Sequence, residues 1–403
     1  MAKKELKNIF EKFLNSKSLF LDKKILQSNY TPESIIHRED QIELVAKILS
    51  PCLRLEKPSN LFVYGKTGTG KTLTIQHTTN QIEQLASEKK IPIKIIYLNC
   101  KLKKIADTEY RLIAELGREF GRPIPPTGLP TDEVYKIFFK AMDEKNQIIL
   151  LILDEIDQLI QKAGDELLYN LTRINSELKN AQLSILGISN DINFTSTLDP
   201  RIKSSLSEEE IVFPPYNALQ IQDILRERAK KAFKPGILQP GVIEKCAAYA
   251  AREHGDARRA LEFLRVAGEI AERENAETVT MAHIDLAQDK IEHDKIIDLV
   301  MTQPKQFQAT LYSIIISQNK EQKIYTGDIY SSYKKICTRA GLRPLTQRRL
   351  SDIIAEFDML GIINAKTISK GRYGRTREIS ISFEQSIELR IKDLIERDLG
   401  FKV

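Results

Sequence analysis

Cysteine is scarce in this sequence, with four residues among 403: Cys52, Cys100, Cys246 and Cys337. They lie far apart, and none forms a C-x-x-C pair or has a histidine next to it. This spacing excludes the usual zinc-binding and dithiol motifs. We therefore predict reduced, mostly buried thiols in an intracellular protein.

Long apolar runs are also missing. No stretch approaches the ~20 residues needed to cross a bilayer, and the first residues, 1–6, lack the apolar core and cleavage site of a signal peptide. We therefore expect a cytoplasmic protein with no membrane partner. What the chain does have is length for two or three domains, with 42% hydrophobic residues to fill their cores.

The most informative stretch is a glycine-rich loop between the apolar run Leu61–Tyr64 and a helix-compatible segment. It consists of Gly65, Lys66, Thr67, Gly68, Thr69, Gly70, Lys71 and Thr72. The glycines let several backbone N–H groups point inward, and Lys71 would reach the outer phosphates of a nucleotide. Thr72 would hold Mg²⁺ through its hydroxyl. The alternative is a glycine-rich turn that happens to contain a lysine, which the full G-x-x-x-x-G-K-T spacing disfavours.

Two acids follow a second apolar run. Residues 148–153 are all Ile or Leu, as expected of a parallel strand covered on both faces, and Asp154 and Glu155 come next. Acids at the carboxyl end of such a strand lie in the ligand crevice. We expect Asp154 to hold Mg²⁺ and Glu155 to polarise the water that attacks the terminal phosphate of ATP. Asp157 is interpreted as a helix cap or a solvated acid.

Three further polar residues are candidates for the catalytic site. Asn190 ends the next apolar strand, where its amide could hold the attacking water or sense the γ-phosphate. Arg201 lies in a short polar segment and could reach the nucleotide of a neighbouring subunit, with a local salt bridge as the alternative. Arg258 falls in the first turn of a helix that Asp256 can cap, so it could close on the phosphates.

A bound nucleotide usually needs an apolar pocket for its base. Tyr30, Ile36 and Arg38 precede the phosphate loop, and Tyr216 follows the first domain boundary. These four residues are our candidates to line the pocket. Plain core packing is the alternative.

Two boundaries divide the chain, one at Pro214 and Pro215 and one near residues 293–303. We predict an α/β nucleotide-binding domain with a parallel sheet at residues 1–213, a helical domain at 214–293 and an α+β winged-helix domain at 294–403. The last helix of the second domain is predicted at residues 280–292. The connection between the second and third strands has room for an extra helix near residues 100–130. Its basic residues, including Arg122, suit a phosphate backbone, with solvation as the alternative.

The C-terminal third combines a helix that has a basic first turn with a basic hairpin. The predicted inward stripe of the helix is Leu350, Ile353, Ile354, Phe357 and Leu360. Its exposed first turn carries Thr346, Gln347, Arg348 and Arg349. The hairpin, with strands predicted at residues 362–368 and 378–383, carries Lys366, Lys370, Arg372, Tyr373, Arg375 and Arg377. A helix-turn-helix with such a wing is typical of duplex-DNA readers, and protein docking is the alternative.

The net charge of +6 is located in the same region. Residues 321–380 hold twelve Lys and Arg against six Asp and Glu, so the remainder of the chain is balanced. This distribution is typical of a polyanion-binding module attached to a neutral one, although a solvated basic face gives the same count.

In this order the motifs resemble the archaeal initiators of DNA replication, the family of origin recognition complex subunit 1 and cell division control protein six. Gly65–Thr72 resembles its Walker A motif, residues 153–155 its Walker B motif, and Asn190 its sensor 1. Residues 255–258 resemble its sensor 2, and residues 198–201 the stretch that carries its arginine finger. The inserted helix corresponds to the initiator-specific motif, which in that family touches DNA together with the winged helix.

The resemblance implies an AAA+ P-loop core with a helical lid domain and a winged helix. It also implies a nucleoid-associated protein that binds ATP or ADP with Mg²⁺, hydrolyses ATP slowly as a switch, recognises origin DNA and helps load the replicative helicase, with paralogous initiators as possible partners. The chain lacks the long N-terminal extension of the eukaryotic subunit, which favours an archaeal protein. Two alternatives stay open: a helicase or clamp loader that acts through protein contacts, and an ATP-dependent transcription regulator.

Overall fold

The computed structural model describes residues 17–28, 30–101, 108–125, 127–194, 198–206, 209–253, 255–318, 324–369 and 375–401. The chain divides into two compact units, Met1–Ile284 and Asp285–Val403. All four cysteines are buried and unpaired, as predicted. Among the helices that the model describes, none has the length and apolarity to cross a membrane.

The first unit is built on a five-stranded parallel sheet in the order β2-β3-β4-β1-β5. Its strands are β1 (Leu61–Tyr64), β2 (Ile93–Asn99), β3 (Gln147–Asp154), β4 (Ala181–Ser189) and β5 (Glu209–Val212). The central strands β1, β3 and β4 are almost wholly buried, because both faces of the sheet are covered. Their carboxyl ends lie side by side, which brings the phosphate loop, the acid pair and Asn190 to one edge.

In the part of the chain that the structure describes, seven α-helices cover this sheet. They are α1 (Glu39–Leu49), α2 (Lys71–Lys89), α3 (Glu109–Glu119), α4 (Thr131–Met142), α5 (Ile156–Ala163), α6 (Glu166–Arg173) and α7 (Pro200–Leu206). Because side chains alternate along a strand, Phe62 and Tyr64 enter one apolar core, with α3 to α6, and Leu61 and Val63 enter the other, with α1 and α2. The pair α3 and α4 occupies the long connection between β2 and β3.

A group of helices follows the sheet: α8 (Ala218–Ala232), α9 (Val242–Arg252), α10 (Ala257–Arg273) and α11 (Met281–Met301). Asn217 caps α8, and Asp256 caps α10 by accepting bonds from the N–H groups of Arg258 and Arg259 at 2.9 and 3.3 Å. The prediction that the last helix ends at residue 292 is wrong. It continues to Met301, because its later turns pack into the core of the second unit.

The second unit contains α12 (Lys305–Gln318), β6 (Ile324–Tyr325), α13 (Thr326–Arg339), α14 (Gln347–Met359), β7 (Ile363–Ser369), β8 (Arg375–Ile381) and α15 (Gln385–Asp398). The antiparallel sheet has the order β6-β8-β7, with β7 and β8 forming the predicted hairpin.

The apolar stripe of α14 fastens this helix to the core of the second unit. Leu350, Ile353, Ile354 and Phe357 are fully buried, as predicted. Leu360 is 43% exposed, so its place in the inward stripe is wrong. The helix ends one residue earlier, at Met359, and Leu360 is its C-cap residue.

Candidate nucleotide site and candidate nucleic-acid interface

The phosphate loop runs from the end of β1 into the first turn of α2. Gly68 has a φ of 71°, and a Cβ atom there would lie 1.7 Å from the Asp256 carboxylate. At Gly65 a Cβ atom would lie 2.5 Å from the carbonyl oxygen of Phe213. Both positions therefore require glycine, because neither the space nor, at Gly68, the backbone angle suits another residue. The loop presents its backbone at the positive end of α2, which is the arrangement that binds phosphate.

Lys71 lies at the centre of the site and is 5% exposed. Its Nζ donates to the carbonyl oxygens of Gly65 and Lys66 at 2.6 and 2.8 Å, and to Asn190 Oδ1 at 2.9 Å. Burial, followed by the nearby charge of Arg258, lowers the pKa of Lys71 to about 8. The structure thus brings the loop lysine and Asn190 together, although they are far apart in the sequence.

Asp154 receives three hydrogen bonds at the end of β3. Its Oδ2 accepts from the Thr72 hydroxyl at 3.0 Å and from the Tyr97 hydroxyl at 2.6 Å, while Oδ1 accepts from the Glu155 N–H at 2.9 Å. Hydroxyl and carboxylate oxygens are the ligands that Mg²⁺ takes in proteins. The donor set of Thr72 and Asp154 therefore fits this ion.

Glu155 follows directly, with a left-handed φ of 55°, and is the N-cap residue of α5. Such a backbone conformation is strained for a glutamate, and strain of this kind is concentrated at functional sites. Lys101 Nζ lies 3.6 Å from Glu155 Oε2. Asp157 is neither the cap nor solvated: it lies buried in the first turn of α5 and accepts from Ser189 Oγ at 3.1 Å. That part of the sequence-based interpretation is wrong, because the hydroxyl partner comes from the neighbouring strand β4.

A cavity of about 330 Å³ opens beside the phosphate loop, within the first unit. The loop residues Gly68, Gly70 and Thr72 line one side, and Arg258 of α10 faces them. The cavity is large enough for a small ligand, and it joins a phosphate-binding backbone to apolar walls.

Three of the four candidates for the base pocket line this cavity: Tyr30, Ile36 and Tyr216. Arg38 does not. It is 2% exposed and donates to the carbonyl oxygens of Thr69 at 2.8 Å and Pro214 at 2.6 Å. Its guanidinium also stacks on Tyr216, 3.8 Å from the ring centroid. Arg38 therefore holds the backbone of the phosphate loop from a buried position outside the cavity.

Several residues that line the cavity were not predicted from the sequence. They are Ile35, Leu73, Gln76, Ile224, Arg228 and Leu261. Leu73 and Gln76 lie on the first turns of α2 and could have been found from their distance to the loop. The residues of α8 and α10 gave no signal, because only the fold brings these helices over the cavity.

The two candidate arginines have different surroundings. Arg258 is an exposed residue at the start of α10 that lines the cavity. The side chain of Arg201 is 74% exposed and pairs with Asp199 at 3.1 Å, so the local salt bridge considered from the sequence is present. This pair raises the pKa of Arg201 and lowers that of Asp199.

In the second unit, Thr346, Gln347, Arg348 and Arg349 are all exposed at the start of α14. Thr346 caps the helix by accepting from the Arg349 N–H at 3.3 Å, and Arg349 lies 3.8 Å from Asp352. Lys366 of β7 is exposed as well.

Two of the remaining candidate DNA contacts, Arg377 and Arg122, have described side chains, and both contact other groups of the protein. Arg377 of β8 donates to the Ser351 carbonyl oxygen at 3.1 Å, which ties the hairpin to α14. Lys370, Arg372 and Tyr373 lie outside the described residues, as does the side chain of Arg375. Arg122, in the first unit, forms an ion pair with Glu144.

Models of known domain families match three parts of the chain. An AAA domain matches residues 54–193, a Cdc6 AAA+ ATPase-type lid domain residues 222–289, and a CDC6 C-terminal winged-helix domain residues 298–389. Together with the parallel sheet and its phosphate loop, these matches define an AAA+ protein with a winged helix. The predicted fold class is confirmed.

The chain belongs to the family of ORC1-type DNA replication proteins. The protein of that name from Thermococcus onnurineus is 53% identical over 382 residues, which cover 94% of this chain and 91% of the relative. The one from Pyrococcus furiosus is 52% identical, with 94% and 90% covered. The family predicted from the motifs is therefore confirmed, and the chain is an ORC1-type replication initiator with an AAA+ domain.

Solved structures agree with this assignment. The Aeropyrum pernix ORC1 protein in complex with DNA has a TM-score of 0.81 and 43% identity, and the match covers 94% of this chain and 97% of that one. Cdc6p from Pyrobaculum aerophilum has a TM-score of 0.61 at 22% identity, with 95% and 100% covered, and shares the fold.

Proposed function

We propose that the chain is an ATP-switched initiator that binds origin DNA sequence-specifically, alone or with paralogous initiators, and helps to load the replicative helicase. The observation that carries the proposal is the pairing of a cavity at a phosphate loop in the first unit with an exposed cationic helix start in the second. The similar Aeropyrum pernix protein, whose structure contains DNA, supports it. A nucleoid-associated cytoplasmic location would follow.

ATP and ADP are the proposed ligands of the cavity. The backbone of residues 65–72 would bind the phosphates, and Tyr30, Ile36 and Tyr216 would contact the base. Lys71 bonds neutral carbonyl oxygens of its own loop, and a phosphate oxygen would offer it a stronger, charged acceptor. Arg38 would act by holding Thr69 in place.

Glu155 is the proposed base that orients and polarises the attacking water. Asn190 would hold that water or the terminal phosphate, and Arg258 would close on the phosphates from the lid. Arg201 would act on the nucleotide of a neighbouring subunit after leaving Asp199. We propose that this hydrolysis is slow, so that the bound nucleotide acts as a switch.

Thr72 and Asp154 would hold Mg²⁺, as their oxygen donors allow. When bound, this ion neutralises the charge of the phosphates during transfer. Asp154 is kept ready for this role by its three hydrogen bonds.

Residues 346–349 of α14 would enter the major groove, with Gln347 and the two arginines reaching base edges and phosphates. The hairpin would contact the backbone or the minor groove through Lys366, Lys370, Arg372, Tyr373, Arg375 and Arg377. Arg122 of the insertion would add a phosphate contact. In this proposal residues 1–213, 214–293 and 294–403 act as the nucleotide-binding, lid and DNA-binding domains.

A footprint of the purified protein on fragments of its own genome tests the proposal. The experiment is done with ATP and with ADP at near-physiological salt, because phosphate contacts make any DNA affinity depend on salt. Protection of short repeated elements that depends on the winged helix is expected. Uniform coating that salt removes, without preferred sites, would contradict sequence-specific binding and favour a loader that acts through proteins.

A further inference from the structure

We propose that Tyr97 is a positioning residue for the Mg²⁺ site, acting through Asp154. This inference rests on the proposed nucleotide function. Tyr97 lies on β2, two residues before the strand ends, and its hydroxyl donates to Asp154 Oδ2 at 2.6 Å. No motif of the sequence indicates this contact, because β2 and β3 become neighbours only in the folded sheet.

The register of the sheet explains how Tyr97 reaches the acid. Asn99 of β2 is paired with Asp154 of β3. Tyr97 precedes Asn99 by two residues, so it lies on the same face of β2, and its long side chain spans the remaining distance. β2 is an edge strand, which leaves Tyr97 38% exposed while its hydroxyl donates to Asp154.

The hydroxyl of Tyr97 bonds Asp154 although water is available to it as another partner. A tyrosine that is more than one-third exposed could turn its oxygen to water at little cost, yet this one bonds a carboxylate. Burial, and then the Asp154 carboxylate, raise the pKa of Tyr97. The geometry of the 2.6 Å bond identifies this hydroxyl as the donor to Asp154.

The division of hydrogen bonds at Asp154 gives Tyr97 its role. The Thr72 hydroxyl donates to the same oxygen, Oδ2, at 3.0 Å, but Thr72 is itself a proposed ligand of the ion. The Thr72 hydroxyl would bind the ion through a lone pair and keep its proton for Asp154, so it would be shared between the two. Tyr97 is the side-chain donor to Asp154, within the described part of the chain, that has no proposed contact with the ion, and the Glu155 N–H holds the other oxygen. Groups that orient a metal ligand in this way typically contribute 10- to 100-fold to metal affinity.

Tyr97→Phe removes the hydroxyl and keeps the ring. Binding of a fluorescent, nonhydrolysable ATP analogue is measured, first in EDTA and then across a range of free Mg²⁺. We expect about a tenfold higher Mg²⁺ concentration at the midpoint, with affinity in EDTA unchanged. The matched control is Tyr135→Phe, which removes another tyrosine–carboxylate bond, 2.6 Å to Glu109, away from the phosphate loop.

The outcomes separate the two proposals. A raised Mg²⁺ midpoint in Tyr97→Phe, but not in Tyr135→Phe, supports the positioning role. A midpoint equal to or below that of the unchanged protein overturns it, as does an equal shift in both variants. If the unchanged protein binds no nucleotide under either condition, the nucleotide function itself fails and this inference with it. Thermal melting of the two variants verifies that each is folded.

Discussion

Lys71 shows how a single residue is tuned by its surroundings. An ordinary lysine has a pKa of 10.5, and burial lowers that of Lys71 to about 8. The folded chain therefore holds fewer protons than the unfolded chain between about pH 8 and 10.5. Over this interval Lys71 makes the free energy of unfolding rise with pH. Below pH 8 the three oxygen acceptors around the amine offset part of the cost of burying its charge.

We predict that nucleotide affinity falls as the pH rises through about 8. Above this pH the amine is neutral in the free site, so binding of the phosphates also requires the uptake of a proton from the solvent. The Kd for ADP should therefore increase, approaching tenfold per pH unit. Titrations between pH 7 and 9.5 measure it. Lys71→Arg, which keeps its charge over this range, should show a flat profile, and an equally flat profile in the unchanged protein would contradict the prediction.

Single residues also show which parts of the site could be predicted from the sequence. The phosphate loop could be predicted because the spacing of its glycines and lysine determines the local backbone geometry. At Gly68, for example, a residue with a Cβ atom would clash with Asp256. The contacts of Arg38 and Asp157 could not be predicted, because their partners, the Thr69 carbonyl oxygen and the Ser189 hydroxyl, are distant in the chain. An arginine near a phosphate loop suggests a ligand contact until its burial is known.

Among the elements, α14 combines an exposed start with a face that is fixed in the core. Its buried stripe orients the first turn, so the side chains of residues 346–349 stay on the surface. Arg348 has no described ion pair, whereas Arg349 lies near Asp352. Arg348 is therefore the residue whose charge is best placed for a phosphate.

We predict that Arg348→Ala weakens DNA binding and makes it less sensitive to salt. Removing one phosphate contact should reduce the slope of log K against log salt by about one unit. Filter binding or fluorescence anisotropy at several salt concentrations measures it. The control is Arg390→Ala, an exposed arginine on α15. If both variants kept the original slope, Arg348 would not contact a phosphate.

Helices and strands could be predicted where neighbouring residues in the sequence determine where they begin and end. The apolar runs of β1 and β3 and the stripe of α14 are visible in the sequence, and the structure has them. The length of α11 was missed because nothing local ends it at residue 292, and Ile296, Ile297 and Val300 gain burial by continuing the helix. The limits of a helix thus depended on a core formed more than ten residues further along the chain.

The whole molecule separates its proposed tasks between two units. The cavity, the acid pair and the lid arginine belong to Met1–Ile284, and the cationic helix start belongs to Asp285–Val403. The net positive charge lies in the second unit, at residues 321–380. An ATP switch therefore requires that the first unit change the DNA affinity of the second.

This separation gives a prediction for fragments. Residues 285–403 should fold alone and bind DNA with the same Kd in ATP and in ADP, while the full chain distinguishes the two nucleotides. A fragment that starts at Lys305 should be less stable by about 2–4 kcal/mol, because it loses the fully buried Val300 and its partly buried neighbours. Urea unfolding measures the stability of the two fragments, and fluorescence anisotropy measures the Kd for DNA. Equal stability of the two fragments would show that α11 is not part of the second core, and a nucleotide effect on the isolated fragment would place ATP binding elsewhere.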